Sequence, residues 1–315
     1  MAQPTNTFDS YDSIGNREDL LDNIYNIAPM DTPFMSAIGM GPKAESTYVE
    51  WQTDTLGSPS DNKVIEGDDA TTNAVVPTVR LGNYTQISDK VPLITGTQEA
   101  IRKAGRKQEM AYQLAKLAKE LKTDMEYACI GVNNAQVAGN ATTARELGSV
   151  QSYIATNTSA GASGADPTGD GTDARTDGTQ RVFTEDLLKD VLQACYLAGG
   201  NPSLLFAGAF NKRVLSTFNG NATKTVEAAT KKISAGVDVY DGDFHTLRVV
   251  PSRILRSREV LAIDPAYWKL RYLRPFVISD LAKTGDSMRK QMVVEYTLQA
   301  SQEAASGIVA DLTTS

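Results

Sequence analysis

Residues 98–132 read "QEAIRKAGRKQEMAYQLAKLAKELKTDMEYACIGV", and the length of this stretch decides the scale of the fold. Its apolar residues recur every three or four positions, which is the spacing of one face of an α-helix. They are Met110, Leu114, Leu117, Leu121, Met125, Ala128 and Val132. At about 1.5 Å per residue, the predicted helix would reach roughly 50 Å. A helix this long needs an extended sheet or a partner surface along its length, and Gly105 predicts a kink near its start.

Residues 48–67, "YVEWQTDTLGSPSDNKVIEG", begin as a strand and then contain almost nothing to bury. Tyr48 and Trp51 favour a strand, whereas polar and turn-forming residues follow Leu56. A second extended run, "AVVPTVRLGNYTQISDKV", occupies residues 74–91. A lone two-stranded hairpin is only marginally stable in water, and its open edges invite association. We therefore expect this arm to pack on another copy of the chain.

The composition describes an acidic protein with enough apolar residues for a core. The chain has 315 residues, a mass of 33.9 kDa, a formal net charge of −7 and 41% hydrophobic residues. One large domain or two interleaved domains fit this length. The negative net charge argues against a protein that binds nucleic acid through a broad basic surface. It is compatible with a protein that surrounds nucleic acid without binding it tightly.

Three further features of the composition bear on location. No stretch approaches the ~20 apolar residues of a membrane helix. The first residues lack the basic start and apolar run of a secretory signal. Cys129 and Cys195 lie in partly apolar, helical-looking surroundings, so we expect free buried thiols, as in a cytoplasmic product.

Short local signals mark two further segments of the first half. The run "DTPFMSAIG" predicts a helix over 31–39, capped by Asp31 or Thr32 and ended by Gly39. Gly, Ser, Thr and Asp dominate residues 155–180, which predicts an exposed, mobile loop that divides the chain into two halves.

The second half predicts a small α/β layer followed by strands. Residues 184–198 form an amphipathic helix that Thr184 can cap and that Gly199–Gly200 can end. The run "SLLFAG" is typical of a buried strand, and "AFNKRVLSTF" of a helix after it. Residues 236–315 are mainly strands, with a hairpin turn at Asp241–Gly242.

The sequence offers little that could do chemistry. His245 is the only histidine, and we expect a surface or satisfied residue. Phosphate-loop, dinucleotide and nucleophile-elbow motifs are absent. The acidic runs at 66–70 and 166–173 lack calcium-loop spacing and predict solvated loops. The basic runs at 102–107 and 252–259 either contact phosphate or pair with carboxylates of a neighbouring subunit. We therefore expect no catalytic residue, no cofactor and no metal site.

The order of these parts resembles the major capsid protein of tailed bacteriophages, which has the α+β Hong Kong 97-like fold. It is most similar to a podovirus- and siphovirus-associated family of major head proteins. The stretches that carry the resemblance are "APMDTPFMSAIG", "YVEWQTDTL", "GNYTQISDKVPLITGTQEAIRKAGRKQEMAYQLAKLAKELKTDMEYACIG", "TTARELGSVQSYIATN" and "VVEYTLQASQEAASGIVADL". Their order covers nearly the whole chain, and no single motif is diagnostic.

The resemblance implies a division of the chain into five parts. They are an N-terminal arm (1–43), an extended β-hairpin loop (44–90), a first part of the peripheral domain (91–183) with a spine helix (98–133) and the flexible loop (155–180), an axial domain (184–260) and a second part of the peripheral domain (261–315). The extended loop would lie over the adjacent subunit. Tyr48, Trp51, Val64 and Ile65 are then the candidate inter-subunit contacts, and the alternative for Trp51 is packing within its own chain.

The resemblance also implies a function and a set of partners. Copies would assemble as pentamers and hexamers into an icosahedral head that encloses double-stranded DNA without sequence-specific binding. Because only about 30 residues precede "DTPFMSAIG", a separate scaffolding protein is expected rather than a cleaved internal one. Portal and decoration proteins would be further partners. Assembly would take place in the host cytoplasm, the product would be a virion component, and no membrane is involved.

Three alternatives stay open at this point. The first is an encapsulin-type compartment of the same fold, which would hold cargo protein instead of DNA. The second is an α/β enzyme or small-molecule binder, which the missing site residues disfavour. The third is another virion component, such as a decoration or portal-associated protein, which the long helix and the hairpin arm do not suit.

Overall fold

Two main β-sheets, one long helix and one projecting hairpin make up the fold. The computed structural model describes residues 31–70, 72–218, 226–227, 232–233 and 238–315. Most of the predicted N-terminal arm, residues 1–30, therefore lies outside the described residues. Within the described ranges, no helix is both long and apolar enough to cross a membrane.

The helices and strands follow one another in a mixed order. In chain order they are α1 (Pro33–Ile38), β1 (Tyr48–Thr53), β2 (Val79–Tyr84), β3 (Gln86–Lys90), β4 (Leu93–Thr95), α2 (Gly96–Ala100), α3 (Glu109–Glu126), a π-helical turn (Tyr127–Gly131), α4 (Val150–Tyr153), β5 (Thr158–Ser159), α5 (Glu185–Leu197), β6 (Leu204–Ala207), α6 (Ala209–Leu215), β7 (Val226–Glu227), β8 (Lys232–Ile233), β9 (Val239–Asp241), β10 (Thr246–Pro251), β11 (Val260–Ile263), β12 (Trp268–Asp280), β13 (Ser287–Ala300), a 3₁₀ turn (Glu303–Ala305) and β14 (Gly307–Val309).

The first sheet is antiparallel and runs in the order β12, β13, β3, with β4 paired to the start of β13. Although β13 is buried on both faces from Val294 to Leu298, its alternate residues point into the apolar core. They are Met292, Val294, Tyr296, Leu298 and Ala300. Helix α3 lies against this face, where Leu121 and Met125 join the same apolar cluster.

The predicted spine helix is confirmed over its second part and is wrong over its first. Helix α2 ends at Ala100, and α3 starts only at Glu109, so the helix predicted over 98–133 is interrupted. Gly105 lies in this break with a φ of +72°, a conformation that glycine adopts at no steric cost and that an α-helix excludes. Helix α3 has 18 residues and spans about 27 Å.

The second sheet has six strands in the order β5, β14, β11, β6, β10, β9. Strand β10 runs parallel to β6, and helix α6 lies between them in the chain. Helix α5 packs its apolar face on the sheet, and Thr184 caps it by accepting a hydrogen bond from the Leu187 N–H at 3.5 Å. The helix, the buried strand and the following helix of the predicted α/β layer are thus confirmed.

Three strands of the second sheet lie wholly or partly outside the predicted axial part, residues 184–260. Strand β5 belongs to the predicted first part of the peripheral domain. Strand β11 extends from Val260 to Ile263 and so crosses the predicted boundary. Strand β14 was predicted to lie with the first sheet, but it pairs with β11 and β5. The final segment, residues 261–315, therefore contributes strands to both sheets. Local sequence patterns do not predict such pairing between segments that are far apart in the chain.

Residues 155–180 lack regular structure apart from β5, as predicted, and the predicted exposure holds for part of them, while others are buried against the body. The carboxylate of Asp311 accepts hydrogen bonds from the backbone N–H groups of Gly161 and Gly178, both at 2.9 Å. The side chain of Arg175 is buried and donates to the Ile154 carbonyl at 3.0 Å. The loop is therefore held on the body by contacts to residues far away in the sequence.

Helix α1 confirms the predicted short helix but not its predicted cap. Pro33 occupies its first turn and Gly39 follows it with a φ of +70°. Thr32 occupies the cap position without a side-chain hydrogen bond to the helix. The carboxylate of Glu126, at the end of α3, binds the free N–H groups instead.

Candidate assembly surfaces

The extended loop leaves apolar side chains in solvent. Strands β1 and β2 pair antiparallel from Tyr48 opposite Tyr84 to Thr53 opposite Val79, and residues 54–78 carry no strand within their described part. Five apolar side chains of this segment are more than two-thirds exposed: Leu56 (99%), Val64 (71%), Ile65 (78%), Val75 (94%) and Val76 (77%). Burying one such side chain is worth about 1.5–3 kcal/mol. A partner surface that buried these five side chains would therefore stabilise the contact substantially.

The base of the loop is packed within its own chain. Trp51 is 8% exposed and its ring lies 6.0 Å from that of Tyr153. The hydroxyl of Tyr153 donates to the Gly82 carbonyl at 3.0 Å. The Asn83 side chain donates to the Leu298 carbonyl of β13 at 2.8 Å. The hairpin is thus rigidly seated where it leaves the body.

The four candidate contact residues therefore differ in their surroundings. Trp51 packs within its own chain, which was the alternative prediction for this residue. Its buried side chain is therefore not accessible to a neighbouring subunit. Tyr48 is half-buried against Tyr84, with ring centres 4.5 Å apart. Val64 and Ile65 are exposed on the loop, and their contact with another copy stays a prediction.

A cleft with basic side chains lies at the foot of the loop. It has a volume of about 580 Å³ and is lined by Lys43, Ala44, Glu45, Thr47, Arg145, Leu273, Arg274 and Glu295. We call it the foot cleft. The buried Glu295 carboxylate accepts hydrogen bonds from Arg145 Nη2 at 2.5 Å and from Arg274 Nε at 2.8 Å. Burial alone would raise the pKa of Glu295, but the hydrogen bond from Arg274 and the charge of Arg145 lower it overall.

Strand β12 presents a second exposed apolar surface. It is the outer strand of its sheet, and residues 39–44 hydrogen-bond to the start of its outer edge at Leu270 and Tyr272. Beyond Tyr272, no described strand pairs with that edge. Phe276, Val277 and Ile278 lie towards its end and are 36%, 52% and 53% exposed. An unpaired edge that carries apolar side chains is a template for contact with another chain.

A third apolar surface lies at the end of α5. Tyr196 and Phe244 stack with ring centres 4.9 Å apart, although both side chains are largely exposed. Leu197 beside them is 76% exposed. Exposed aromatic residues of this kind are enriched at protein interfaces.

The basic run at 252–259 pairs with carboxylates of its own chain. Arg256 contacts Asp177 and Glu259, and Arg258 contacts Asp177 at 3.0 Å and Asp311 at 2.6 Å. This pairing differs from both sequence predictions, which placed the run on phosphate or on a neighbouring subunit. In the run at 102–107, Lys103 lies 3.8 Å from Glu99 and Arg106 contacts Glu109.

The residues that could do chemistry are buried and dispersed. His245 is 5% exposed, its Nδ1 lies 3.2 Å from the Asn201 side-chain oxygen, and burial lowers its pKa. Cys129 and Cys195 are free and buried, and burial raises the pKa of both thiols, to about 12 for Cys195. Across the described ranges, no three histidine, cysteine or carboxylate side chains come together to hold a metal ion.

Comparison with solved structures defines the class of protein to which this fold belongs. The chain resembles the cyanophage A-1(L) capsid with a TM-score of 0.67 at 11% identity, over 95% of this chain and 97% of that one. It resembles a chain of Gordonia phage Cozz with a TM-score of 0.63 at 11% identity, over 99% and 98% of the two chains. The fold is therefore the α+β Hong Kong 97-like capsid fold, as predicted.

Sequence comparison places the chain within that class. It is 28% identical to the major capsid protein of Escherichia phage Phieco32 over 351 aligned positions, which cover 98% of this chain and 97% of the relative. The family model described as SU10 major capsid protein matches residues 3–313. The chain belongs to the SU10 major capsid protein family. The predicted function of a phage major capsid protein is thus confirmed, and this family is a structural one, not a class of enzymes.

Proposed function

We propose that copies of this chain form pentamers and hexamers that close into an icosahedral phage head around double-stranded DNA. The observation that carries the proposal is the loop at 54–78, whose apolar side chains are left uncovered by the part of the chain that the structure describes. Apolar side chains exposed at this density gain free energy when a neighbouring subunit covers them. Repetition of one such contact around a closed ring stabilises the whole shell although each contact is modest.

We also propose roles for the two main parts of the fold. We assign the first sheet and α3 to the peripheral domain, and α5, α6 and the second sheet to the axial domain around the five-fold and six-fold axes. The exposed Tyr196, Leu197 and Phe244 then belong to the axial part, and the edge of β12 belongs to the peripheral part. Strand β14 is assigned to the axial sheet because it pairs with β11.

The charges favour enclosing DNA without binding it tightly. The net charge of the chain is −7, and two arginines of the run at 252–259, Arg256 and Arg258, are engaged by carboxylates of their own chain. A container that released no counterions from DNA would bind it weakly and with little dependence on salt. We therefore propose that DNA is held by the closed shell and not by specific contacts.

Other proteins of the particle complete the proposal. A separate scaffolding protein would set the curvature during assembly in the host cytoplasm, a portal would occupy one vertex, and decoration proteins would bind the outside. The virion is the final location of the chain.

Electron microscopy of the expressed full chain tests the proposal. Uniform hollow polyhedra or tubes would support it, and discrete small particles, even with scaffolding protein supplied, would contradict it. The contents of particles isolated from infected cells separate the two uses of the fold. Double-stranded DNA supports a phage head, whereas packaged protein without DNA supports a compartment of the encapsulin type.

A further inference from the structure

We propose that an acidic turn on the loop of one copy docks in the foot cleft of the next copy. The acidic turn consists of Glu66, Gly67, Asp68 and Asp69. Its receptor is the basic side of the cleft, formed by Lys43, Arg145 and Arg274. The inference rests on the proposed function, because it requires copies that lie side by side in a shell.

The acidic turn has a defined backbone shape. The Asp68 N–H donates to the Ile65 carbonyl at 3.1 Å, which closes a four-residue turn. Gly67 is at the third position of that turn with a φ of +85°, where glycine is favoured. The three carboxylates therefore project from a preformed turn, which reduces the conformational entropy lost on docking.

The charges of the turn are unpaired in the isolated subunit. Glu66, Asp68 and Asp69 are exposed, and no Lys or Arg in the described chain lies within ion-pair distance of their carboxylates. The one lysine of this segment, Lys63, pairs instead with Asp61 at 2.8 Å. Three carboxylates on one exposed turn form a concentrated negative charge that a basic surface would attract.

The foot cleft offers the complementary charge. Lys43 is exposed, and its ammonium group has no carboxylate partner among the residues the structure describes. Arg274 is 55% exposed at its side chain and donates only its Nε to Glu295, so its terminal nitrogens stay available. With Arg145, the three cations outnumber Glu45 and Glu295, the two carboxylates that line the cleft.

The reach of the loop matches the distance to a neighbour. Strand β1 spans about 20 Å, and the roughly dozen residues beyond it add at most about 40 Å when extended. A compact chain of 315 residues has a diameter of about 50 Å. Because the foot cleft lies where the loop begins, a turn at the tip meets the equivalent cleft one subunit away. Repetition of this head-to-tail contact closes a ring.

Charge reversal tests the contact in the full-length chain. Under conditions in which the wild-type chain forms shells, Lys43→Glu should raise the critical concentration for assembly about tenfold, equivalent to about 1.4 kcal/mol per subunit. Combining Lys43→Glu with Glu66→Lys should restore the critical concentration to within about threefold of the wild-type value. The exposed Lys122 of α3 is the matched control, and Lys122→Glu should leave assembly unchanged. Thermal melting of each dispersed subunit shows that all variants fold.

Glu45→Gln supplies a test in the opposite direction. Glu45 lines the cleft and opposes the incoming carboxylates, so its neutralisation should lower the critical concentration. An unchanged or raised value, together with no rescue by the Lys43→Glu and Glu66→Lys pair, overturns the inference.

A disulfide cross-link identifies the partner directly. Both natural cysteines are buried, so a chain carrying Lys43→Cys and Asp68→Cys should form a ladder of covalent oligomers in oxidised shells. Either substitution alone should give none. Wild-type shells combined with the absence of a ladder would refute the docking and leave the proposed function intact. Failure of the wild-type chain to form any shell would instead refute both.

Discussion

The carboxylate of Glu126 binds the start of a helix that lies 92 residues earlier in the chain. Its Oε1 accepts a hydrogen bond from the Phe34 backbone N–H at 2.8 Å. Its Oε2 accepts one from the next residue, Met35, also at 2.8 Å. The end of the long helix α3 therefore holds helix α1, which lies in the last part of the predicted N-terminal arm (1–43), and it does so through a buried acid.

Glu126 should make the stability of the subunit depend on pH. Burial raises the pKa of Glu126 from 4.5 to about 7, against the lowering effect of the two N–H donors. The folded state then binds the proton more tightly than the unfolded state, so this group's contribution falls as pH rises from about 4.5 to about 7. Relative to Glu126→Gln, the wild-type chain should lose about 3 kcal/mol over that range. Urea unfolding of dispersed subunits at several pH values measures the difference, and parallel curves for the two chains would contradict it.

Shortening side chains at the base of the extended loop should lower the stability of the monomer, whereas shortening them on its exposed part should weaken assembly. Trp51→Ala removes a buried ring from the subunit core and should destabilise the folded monomer by about 3–5 kcal/mol. Val64→Ala and Ile65→Ala together should leave the melting temperature unchanged, because both side chains are exposed, and should weaken assembly. Calorimetry of dispersed subunits and light scattering during assembly separate the two effects. A loss of monomer stability in the double loop variant would contradict this division.

Asp311 should control whether the loop at 155–180 stays on the body. It accepts hydrogen bonds from Gly161, Gly178 and Arg258, and it is 1% exposed. Its φ of +59° is a conformation that asparagine tolerates better than alanine. We expect Asp311→Ala to cost about 3–5 kcal/mol and to expose this loop to proteolysis, with a smaller effect for Asp311→Asn.

Limited proteolysis followed by mass spectrometry checks that expectation. Cleavage should appear within 160–180 in Asp311→Ala and not in the wild-type chain. Gln180→Ala, at an exposed position of the same loop, is the matched control and should cleave like the wild type. Equal protection of this loop in all three chains would contradict the role of Asp311.

Gly82 leaves room for the ring of Tyr48 at the hairpin base. A Cβ atom at this position would lie 2.5 Å from Cζ of Tyr48, far closer than van der Waals contact. Gly82→Ala should therefore destabilise the hairpin, and Tyr48→Ala in the same chain should recover most of the loss because it removes the clash. Hydrogen exchange of the β1 and β2 amides reports the pairing. The prediction would be contradicted if Gly82→Ala left the exchange of these amides unchanged. It would also be contradicted if adding Tyr48→Ala failed to restore their protection.

Local patterns in the sequence predict the elements but not the contacts between distant ones. The apolar spacing of Leu121 and Met125 predicts the buried face of α3, and the polar residues after Leu56 predict where the hairpin opens. The sequence predicts only a kink at Gly105, whereas the structure has no helix between Ala100 and Glu109. The difference arises because a single glycine rarely ends a pattern that is otherwise favourable for a helix.

The polar contacts that organise the fold leave no local pattern. Glu126 is the clearest case, since a glutamate at the end of an amphipathic helix is expected to face solvent. Its partner N–H groups belong to a helix about 90 residues away, so nothing near it in the sequence marks it as buried. Asp311 and the arginines that pair with carboxylates of their own chain belong to the same class. The sequence likewise gives no sign of the foot cleft, because the cleft joins four separate segments of the chain.

The position of β14 between β5 and β11 has a consequence for the order of events during synthesis. Residues 307–309 fill a gap between two strands translated earlier, so the second sheet stays open until the ribosome has passed them. A nascent chain is then unable to present the finished surface of this sheet to its neighbours. We therefore expect copies to join a growing particle only as completed molecules, which would guard the lattice against truncated products.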